Sequence, residues 1–285
     1  MFVFIAAPTV GRYYGDGMTT RWPERSNLSR TRRIVRLLAD SARYLTFPMG
    51  SSRGVFDNFR DAARAAPKRA LRGYDHQTVA AEFREGLDAP LNAIDFPLLF
   101  HLPGLLRPGA TVLDFGGAVG THYLRYRTQI PLDDVRWVVW DLPAMVAAGR
   151  DVCADFPNVT FVTDVADTQE GEIDVFLASG SLQYVDPDDA CPIAALLAAG
   201  RTIRYLLVHR MPLGDGPTFV TLQSAGVTCY PQVVYNRAEF ISRLEALGFR
   251  KRAEWEDSTN PCPIPFHRSR SLIASTGLLF ERSGA

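Results

Sequence analysis

The spacing of hydrophobic positions along this chain changes at a Pro108-Gly109 pair, a strong boundary signal between elements. Before the pair, between residues 61 and 106, apolar side chains recur at helical intervals, as Val79, Phe83 and Leu87 do. After it, short and continuously apolar runs alternate with helical stretches. This change predicts a helical region followed by an α/β region.

Apolar runs in the α/β region predict seven strands, and helices separate most of them. The predicted strands cover residues 112–115, 137–140, 159–162, 173–178, 205–208, 249–255 and 272–280. The predicted helices cover residues 119–128, 143–155, 192–199 and 237–247. Strands separated by helices pair in parallel through right-handed crossovers, whereas two late strands close together are typical of an antiparallel edge pair. The expected fold is therefore α/β: a Rossmann-like, doubly wound, mostly parallel seven-stranded sheet.

The chain is expected to divide near residue 105. Residues 1–104 are predicted to form a basic, mainly helical N-terminal region that acts as a lid or as a dimerisation element, and residues 105–285 the main domain. One short amphipathic helix in the N-terminal region is indicated by Ile34, Leu37 and Leu38. The glycines of residues 50–54 indicate a loop.

Charge and cysteine content narrow the class of protein. The 285 residues have zero formal net charge, but residues 1–72 carry 14 basic and 5 acidic side chains, so this arm either docks on the acidic remainder or meets an anionic partner. Residues 1–10 are apolar but far too short to span a bilayer. No metal site is expected, and the scattered cysteines suggest reduced thiols of a cytoplasmic protein. They are Cys153, Cys191, Cys229 and Cys262.

A glycine-rich turn follows the first predicted strand. Asp114 lies at the carboxyl end of the strand, and Gly116, Gly117, Ala118 and Gly120 follow it. Glycine allows the backbone to turn sharply and to approach a ligand closely. The spacing does not meet the dinucleotide fingerprint G-x-G-x-x-G, and an acid at this place would repel a pyrophosphate. It suits a cofactor with a cationic amino group.

A second acid, Asp141, ends the second predicted strand. An acid about 20 residues after the glycine turn binds ribose hydroxyls in nucleotide-binding folds. The alternative for Asp141 is a helix N-cap before Pro143.

The pattern D-x-G-x-A-x-G resembles the first motif of class I S-adenosylmethionine-dependent methyltransferases, with Ala118 at the middle glycine, a departure expected to cost little. Asp141-Leu142-Pro143 resembles the Asp-Leu-Pro of small-molecule O-methyltransferases. The resemblance implies S-adenosyl-L-methionine as cofactor. It also implies that Asp164 meets the adenine amino group while Val165 packs on the ring; a solvated turn is the alternative for Asp164.

Residues 109–256 resemble more narrowly a family of methyltransferases that is designated only by a number and found near polysaccharide and specialised-metabolite genes. The shared features are Leu-Asp-Phe-Gly-Gly at 113–117, Leu182-Gln183-Tyr184, Val208-His209-Arg210-Met211-Pro212, Tyr230-Pro231 and Gly73-Tyr74-Asp75. The resemblance implies a methyl-transfer pocket after the fourth strand, where Ser179 and Gln183 would hold the cofactor or the acceptor.

Catalytic candidates lie near the end of the fifth strand. His209 is the preferred general base, with a structural histidine as its alternative. Arg210 alternates to the other side of the strand, and if it faces the pocket it would clamp a substrate carboxylate. Tyr184 is a third candidate. Tyr74 is expected to stack on adenine or to shield the sulfonium, with core packing as the alternative. His122, in the first turn after the glycines, is a candidate for the cofactor carboxylate, with an exposed helix residue as the alternative.

The sequence therefore predicts an enzyme that methylates a small molecule, a sugar or a specialised-metabolite intermediate. Three alternatives stay open: transfer or cyclisation of the aminocarboxypropyl group, an NAD-dependent oxidoreductase, and a non-catalytic binding module. Nucleic acid is the least favoured substrate, because no Asn/Asp-Pro-Pro-Tyr/Phe signature follows the fourth strand. No membrane partner is expected.

Overall fold

The computed structural model describes residues 30–284 except residues 69, 169, 170 and 190. The apolar residues 1–10 and the first part of the basic arm lie outside the described residues. Among the described helices, none is long and apolar enough to cross a membrane.

Eight α-helices and twelve β-strands are present in the described part of the chain. The helices are α1 (Arg30–Thr46), α2 (Phe59–Arg64), α3 (Gln77–Glu85), α4 (Phe96–Leu105), α5 (Thr121–Tyr126), α6 (Pro143–Val152), α7 (Pro192–Ala198) and α8 (Arg237–Ala246). The strands are β1 (Ser52–Phe56), β2 (Leu71–Arg72), β3 (Thr111–Phe115), β4 (Arg136–Trp140), β5 (Val159–Val162), β6 (Glu172–Ser179), β7 (Thr202–Met211), β8 (Leu213–Gly214), β9 (Phe219–Ser224), β10 (Thr228–Asn236), β11 (Phe249–Asp257) and β12 (Ser275–Arg282).

Seven strands form the main sheet in the order β11-β12-β7-β6-β3-β4-β5. β12 runs antiparallel to both of its neighbours, and the other pairs are parallel. The expected seven-stranded, mostly parallel sheet is confirmed. Strand order reverses between β3 and β6, which is where open α/β sheets bind ligands beyond the carboxyl ends of their strands.

Both faces of the main sheet are buried, because its strands carry apolar side chains on each side. Val112 and Val139 pack beneath α4, α5 and α6, whereas Leu113 and Phe176 pack on the opposite face with α7 and α8. Pro143 begins α6 and Pro192 begins α7, as predicted for a residue whose missing N–H needs no partner in the first helical turn.

A second, smaller sheet was not predicted. Its path is β1-β9-β10-β2, and β8 pairs with β10. β1 falls where a glycine loop was expected, and β9 and β10 fall in a stretch without a predicted element. Polar residues such as Thr221 and Gln232 are buried in this sheet, so its strands lack the apolar runs that identify the main sheet.

The small sheet joins the two predicted domains. Strands of residues 52–72 pair with strands of residues 219–236, so the boundary expected at residue 105 divides one sheet. The amphipathic helix of the N-terminal region is present as α1, but Leu38 and Leu45 on it are 65% and 78% exposed among the described residues.

Candidate active site

The turn after β3 has a backbone that explains its glycines. Gly116 and Gly120 have φ of +72° and +88°, in the left-handed region that favours glycine. A Cβ atom on Gly117 would lie 2.3 Å from Oδ2 of Asp114. Ala118 also has a positive φ of +52°. Alanine at this position therefore carries backbone strain of about 1 kcal/mol, a cost that the small size of its side chain does not remove.

Asp114 is fully buried beneath this turn. Both of its carboxylate oxygens lie 3.0 Å from Nδ1 of His122, and Nε1 of Trp137 donates to Oδ2 at 3.2 Å. Burial lowers the pKa of His122, but the charge of Asp114, its hydrogen bond to the ring and the charge of Asp95 together outweigh burial, so the net pKa is raised. The structure corrects the expectation that Asp114 meets a cofactor amino group: its carboxylate instead anchors His122 below the turn.

Asp141 lies at the carboxyl end of β4, beside the turn. The backbone N–H groups of Ala118 and Leu142 donate to its Oδ2 and Oδ1, both at 2.7 Å. Each oxygen keeps a further lone pair for a ligand hydroxyl. Burial raises the pKa of Asp141 to about 6, although the two amide bonds lower it. At neutral pH the group is therefore mainly an oriented carboxylate.

The helix cap next to Asp141 is supplied by another acid. Oδ1 of Asp75 accepts a hydrogen bond from the N–H of Ala144 at 2.9 Å, in the first turn of α6. This bond leaves Asp141 without the capping role that was its alternative. The sequence singled out Asp75 only within a family pattern, because no local signal relates residue 75 to a helix that begins at residue 143.

The end of β5 supplies a short capped turn. Oδ1 of Asp164 accepts from the N–H of Ala166 at 2.8 Å, and the rest of the side chain is exposed. Val165 is half-buried against the main core, and Leu142 at the end of the neighbouring β4 is exposed. The contacts of Asp164 and Val165 with an adenine ring stay predictions.

The turn after β6 packs directly on the glycine turn. The hydroxyl of Ser181 donates to the carbonyl of Phe115 at 2.6 Å, and a Cβ atom on Gly116 would lie 2.4 Å from that of Ser181. Ser179, buried at the end of β6, pairs in register with His209 of β7. The turns on either side of the order reversal are therefore in direct contact, and the region beyond these strand ends is called the crevice below.

His209 lies in the core and not in the crevice. Its side chain is 0% exposed, its Nε2 donates to the carbonyl of Ile94 at 3.0 Å, and its Nδ1 accepts from Nε1 of Trp255 at 3.3 Å. Burial lowers the pKa of His209 to about 4, so the ring is neutral. Because both ring nitrogens are engaged inside the protein, the geometry disfavours His209 as a general base. The structural alternative fits the observed contacts.

Arg210 is the neighbour that reaches the crevice. Its φ is +59°, an uncommon conformation for a residue with a side chain. A Cβ atom on Gly180 would lie 3.4 Å from the guanidinium carbon of Arg210, so the cation lies over the turn that follows β6. No described carboxylate forms an ion pair with it.

Three tyrosines close the crevice on the side of the small sheet. The rings of Tyr74 and Tyr230 stack at 4.1 Å, and the ring of Tyr184 meets that of Tyr230 edge-on at 4.7 Å. The hydroxyl of Tyr74 donates to that of Tyr230, and the hydroxyl of Tyr184 donates to Gln223 Oε1 at 2.6 Å. Burial raises the pKa of Tyr184 although the charge of Arg210 opposes it, so this phenol stays protonated.

No protein-family model matches this chain, and no curated protein matches it. Several solved structures do match its fold. A Burkholderia thailandensis 1,6-didemethyltoxoflavin N1-methyltransferase, solved with 1,6-didemethyltoxoflavin and S-adenosylhomocysteine, is 19% identical, with a TM-score of 0.46 over 76% of this chain and 94% of its own. The glycopeptide N-methyltransferase MtfA, solved with S-adenosyl-L-methionine, is 12% identical, with a TM-score of 0.44 over 68% of this chain and 96% of its own.

The match to the mitomycin 7-O-methyltransferase MmcR covers 89% of this chain and 68% of MmcR. Its identity is 15% and its TM-score 0.45. All of these TM-scores are below 0.5, so nothing about the chemistry of this chain follows from them. The numbered family suggested by the sequence stays a prediction.

Proposed function

We propose that this protein is an S-adenosylmethionine-dependent methyltransferase that acts on a small molecule, a sugar or a specialised-metabolite intermediate. The observation that carries the proposal is the carboxylate of Asp141, held by the N–H groups of Ala118 and Leu142 at the reversal of strand order. Two hydroxyls of a ribose are the natural donors for its two remaining lone pairs.

The residues of the crevice fit the cofactor. Asp141 would hold the ribose, Leu142 and Val165 would flank the adenine from two neighbouring strand ends, and Asp164 would lie at its edge. His122, fixed through Nδ1 by Asp114, would present its other ring nitrogen to the cofactor carboxylate. When bound, S-adenosylmethionine supplies a sulfonium methyl group that passes to a nucleophile while both electrons of the broken C–S bond remain on sulfur.

The contribution of the protein to this reaction is mainly positioning. Holding donor and acceptor in line is the largest effect available to a methyl transfer that needs no strong base. Both ring nitrogens of the enclosed His209 are engaged and its pKa is lowered to about 4, and Tyr184 stays protonated, so neither is suited to remove a proton at neutral pH. We therefore expect an acceptor atom that is nucleophilic at neutral pH or that loses its proton to solvent.

A dinucleotide-dependent oxidoreductase is less well supported. The dinucleotide-binding sheet has six parallel strands in the order 3-2-1-4-5-6. Here β12 is inserted antiparallel between β7 and β11. The spacing of the glycine turn also departs from the dinucleotide fingerprint.

Titration calorimetry with S-adenosylhomocysteine tests the cofactor site. Asp141→Asn removes charge-assisted hydrogen bonds of about 1.5–3 kcal/mol each, which should weaken binding about 10- to 100-fold. Asp151→Asn, at an exposed aspartate on the same α6 segment, is the matched control and should bind like the parent. Equal affinity in a folded Asp141→Asn protein would contradict the assignment.

Product analysis distinguishes the reactions open to the same cofactor. Incubation with methyl-labelled S-adenosylmethionine and fractionated small-molecule extracts should yield S-adenosylhomocysteine and one labelled product. Methylthioadenosine in its place would show aminocarboxypropyl transfer or cyclisation. Tight cofactor binding without turnover on any fraction would favour a binding module.

A further inference from the structure

A polar pocket lies between the crevice and the small sheet. Gln183 comes from the turn after β6 and Arg210 from the end of β7. Gln223 and Gln232 come from β9 and β10, and Ser275 from the start of β12. The pocket thus exists only where the two sheets meet. Its enclosed volume of about 20 Å³ has room for one polar group of a ligand, so the rest of a bound molecule would extend through its open side.

Several buried polar atoms in this pocket have no hydrogen-bond partner among the described residues. They are Oε1 of Gln183, Oε1 of Gln232, Nε of Arg210 and Oγ of Ser275. The side chains of Gln183, Gln232 and Ser275 belong to residues only 3%, 4% and 2% exposed. Native proteins pair most buried polar atoms, so a group of unpaired ones at one pocket points to a ligand that supplies the partners.

The charge of the pocket specifies part of that ligand. Arg210 is the charged side chain among the described residues that line it, and no acid does. A guanidinium without an ion pair matches the planar, bidentate geometry of a carboxylate. One guanidinium balances a carboxylate monoanion, whereas a phosphate at neutral pH would carry more charge than this pocket neutralises. The amide oxygens of Gln183 and Gln232 require hydroxyl or amino donors instead.

The position of Arg210 connects the pocket to the proposed cofactor. Its guanidinium lies over Gly180, and the next residue, Ser181, packs on Gly116 of the glycine turn. A carboxylate bound by Arg210 would therefore place the rest of the molecule between the pocket and the crevice. The left-handed backbone of Arg210 directs the side chain there, and strained residues of this kind cluster at functional sites.

We propose that the methyl acceptor is a small carboxylic acid that also carries hydroxyl or amino groups, held through its carboxylate by Arg210 and through its donors by Gln183 and Gln232. The role of this acid as methyl acceptor rests on the proposed function, whereas its binding to the pocket does not.

Binding is tested on the full chain without cofactor, using acids paired with neutral counterparts: glucuronate with glucose, lactate with lactamide, and serine with serinamide. The parent protein should bind the acid of at least one pair 10-fold more tightly than its counterpart. Arg210→Gln should abolish that preference, whereas Arg204→Gln, at an arginine of the same strand outside the pocket, should retain it. The absence of preference in every pair, or its survival in Arg210→Gln, would overturn the proposal.

A second variant separates ligand binding from structural support. Gln232→Met removes an unpaired buried oxygen at similar volume, so the melting temperature should be unchanged or raised while affinity for the acid falls at least 10-fold. A lower melting temperature with unchanged affinity would assign Gln232 to the fold, with its partner an ordered water, and would overturn its role. Calorimetry with S-adenosylhomocysteine on the same samples reports the proposed function separately, because acid binding without cofactor binding would contradict only that function.

Discussion

Two adjacent residues at the end of β7 have opposite environments. His209 is enclosed by Ile94 and Trp255, whereas Arg210 reaches Gly180. The sequence predicted correctly that both could not face the pocket, since side chains alternate along a strand. It could not decide which one does, because Ile94 and Trp255 come from distant parts of the chain and leave no local pattern.

The enclosed imidazole of His209 makes the stability of the protein depend on pH. Its pKa is about 4 in the folded state, below the value of about 6.5 in an unfolded chain. The unfolded state therefore binds the proton first, and the free energy of unfolding should fall as pH drops from about 6.5 to 4, by about 3 kcal/mol in total. Urea unfolding between pH 4 and pH 7.5 measures this dependence.

His209→Gln keeps a donor for Ile94 but does not titrate, so its unfolding should depend less on pH than that of the parent. Turnover per folded molecule should change less than about 3-fold, against about 10²- to 10⁴-fold for a lost general base. His267→Gln, at an exposed histidine, is the control and should keep the pH dependence of the parent. A large loss of turnover in folded His209→Gln would restore His209 to catalysis.

At the scale of elements, local patterns were predicted and non-local ones were not. The turn from Gly116 to Gly120 follows from consecutive residues, and so do the apolar strands of the main sheet. β9 and β10 bury the polar residues Thr221, Ser224 and Gln232. Such a composition predicts a loop when the strands that pair with it are not known. The position of Asp141 was predictable from spacing, whereas the cap by Asp75 was not.

The glycine turn should tolerate no side chain at Gly117. A Cβ atom there would overlap Oδ2 of Asp114, which His122 and Trp137 hold in place. Gly117→Ala should lose at least about 1–3 kcal/mol of stability through overpacking, and most of its affinity for S-adenosylhomocysteine. Thermal unfolding and calorimetry measure the two effects.

The matched control for this substitution is Gly104→Ala in α4. A Cβ atom on Gly104 would meet nothing within 4 Å, and alanine favours the helix by about 1 kcal/mol or less. The melting temperature should be unchanged or slightly raised and cofactor affinity retained. Similar behaviour of the two variants would mean that the turn is looser than its contacts indicate.

At the scale of the whole molecule, residues expected to form a separate arm are part of the fold. β1 pairs with β9, Ser224 bonds to Gly50 and Ser51, and Thr228 bonds to Leu71. The expected boundary was placed where hydrophobic spacing changes, and pairing between distant strands leaves no trace in that spacing.

A chain shortened to begin at Gly73 should keep the main sheet, but the remaining strands of the small sheet should become sensitive to proteolysis. Without β1, the edge of β9 has no partner, so limited proteolysis should cut within residues 213–236 while cofactor affinity falls only modestly. A chain that begins at Arg30 retains β1 and is the control, and it should resist cleavage there. Full protection of residues 213–236 in the shorter chain would show that β1 is dispensable.

The pocket between the two sheets can form only late during synthesis, because the residues that line it extend to Ser275 and the small sheet that supplies two of them also closes late. Ser52 pairs with Gln223, so β1 leaves the ribosome about 170 residues before its partner and waits unpaired. Contacts so distant in sequence carry a large loop-closure cost and form late. Strands β3 to β6 can meet first, so the nascent chain can assemble the strand ends of the proposed cofactor site before the pocket between the two sheets.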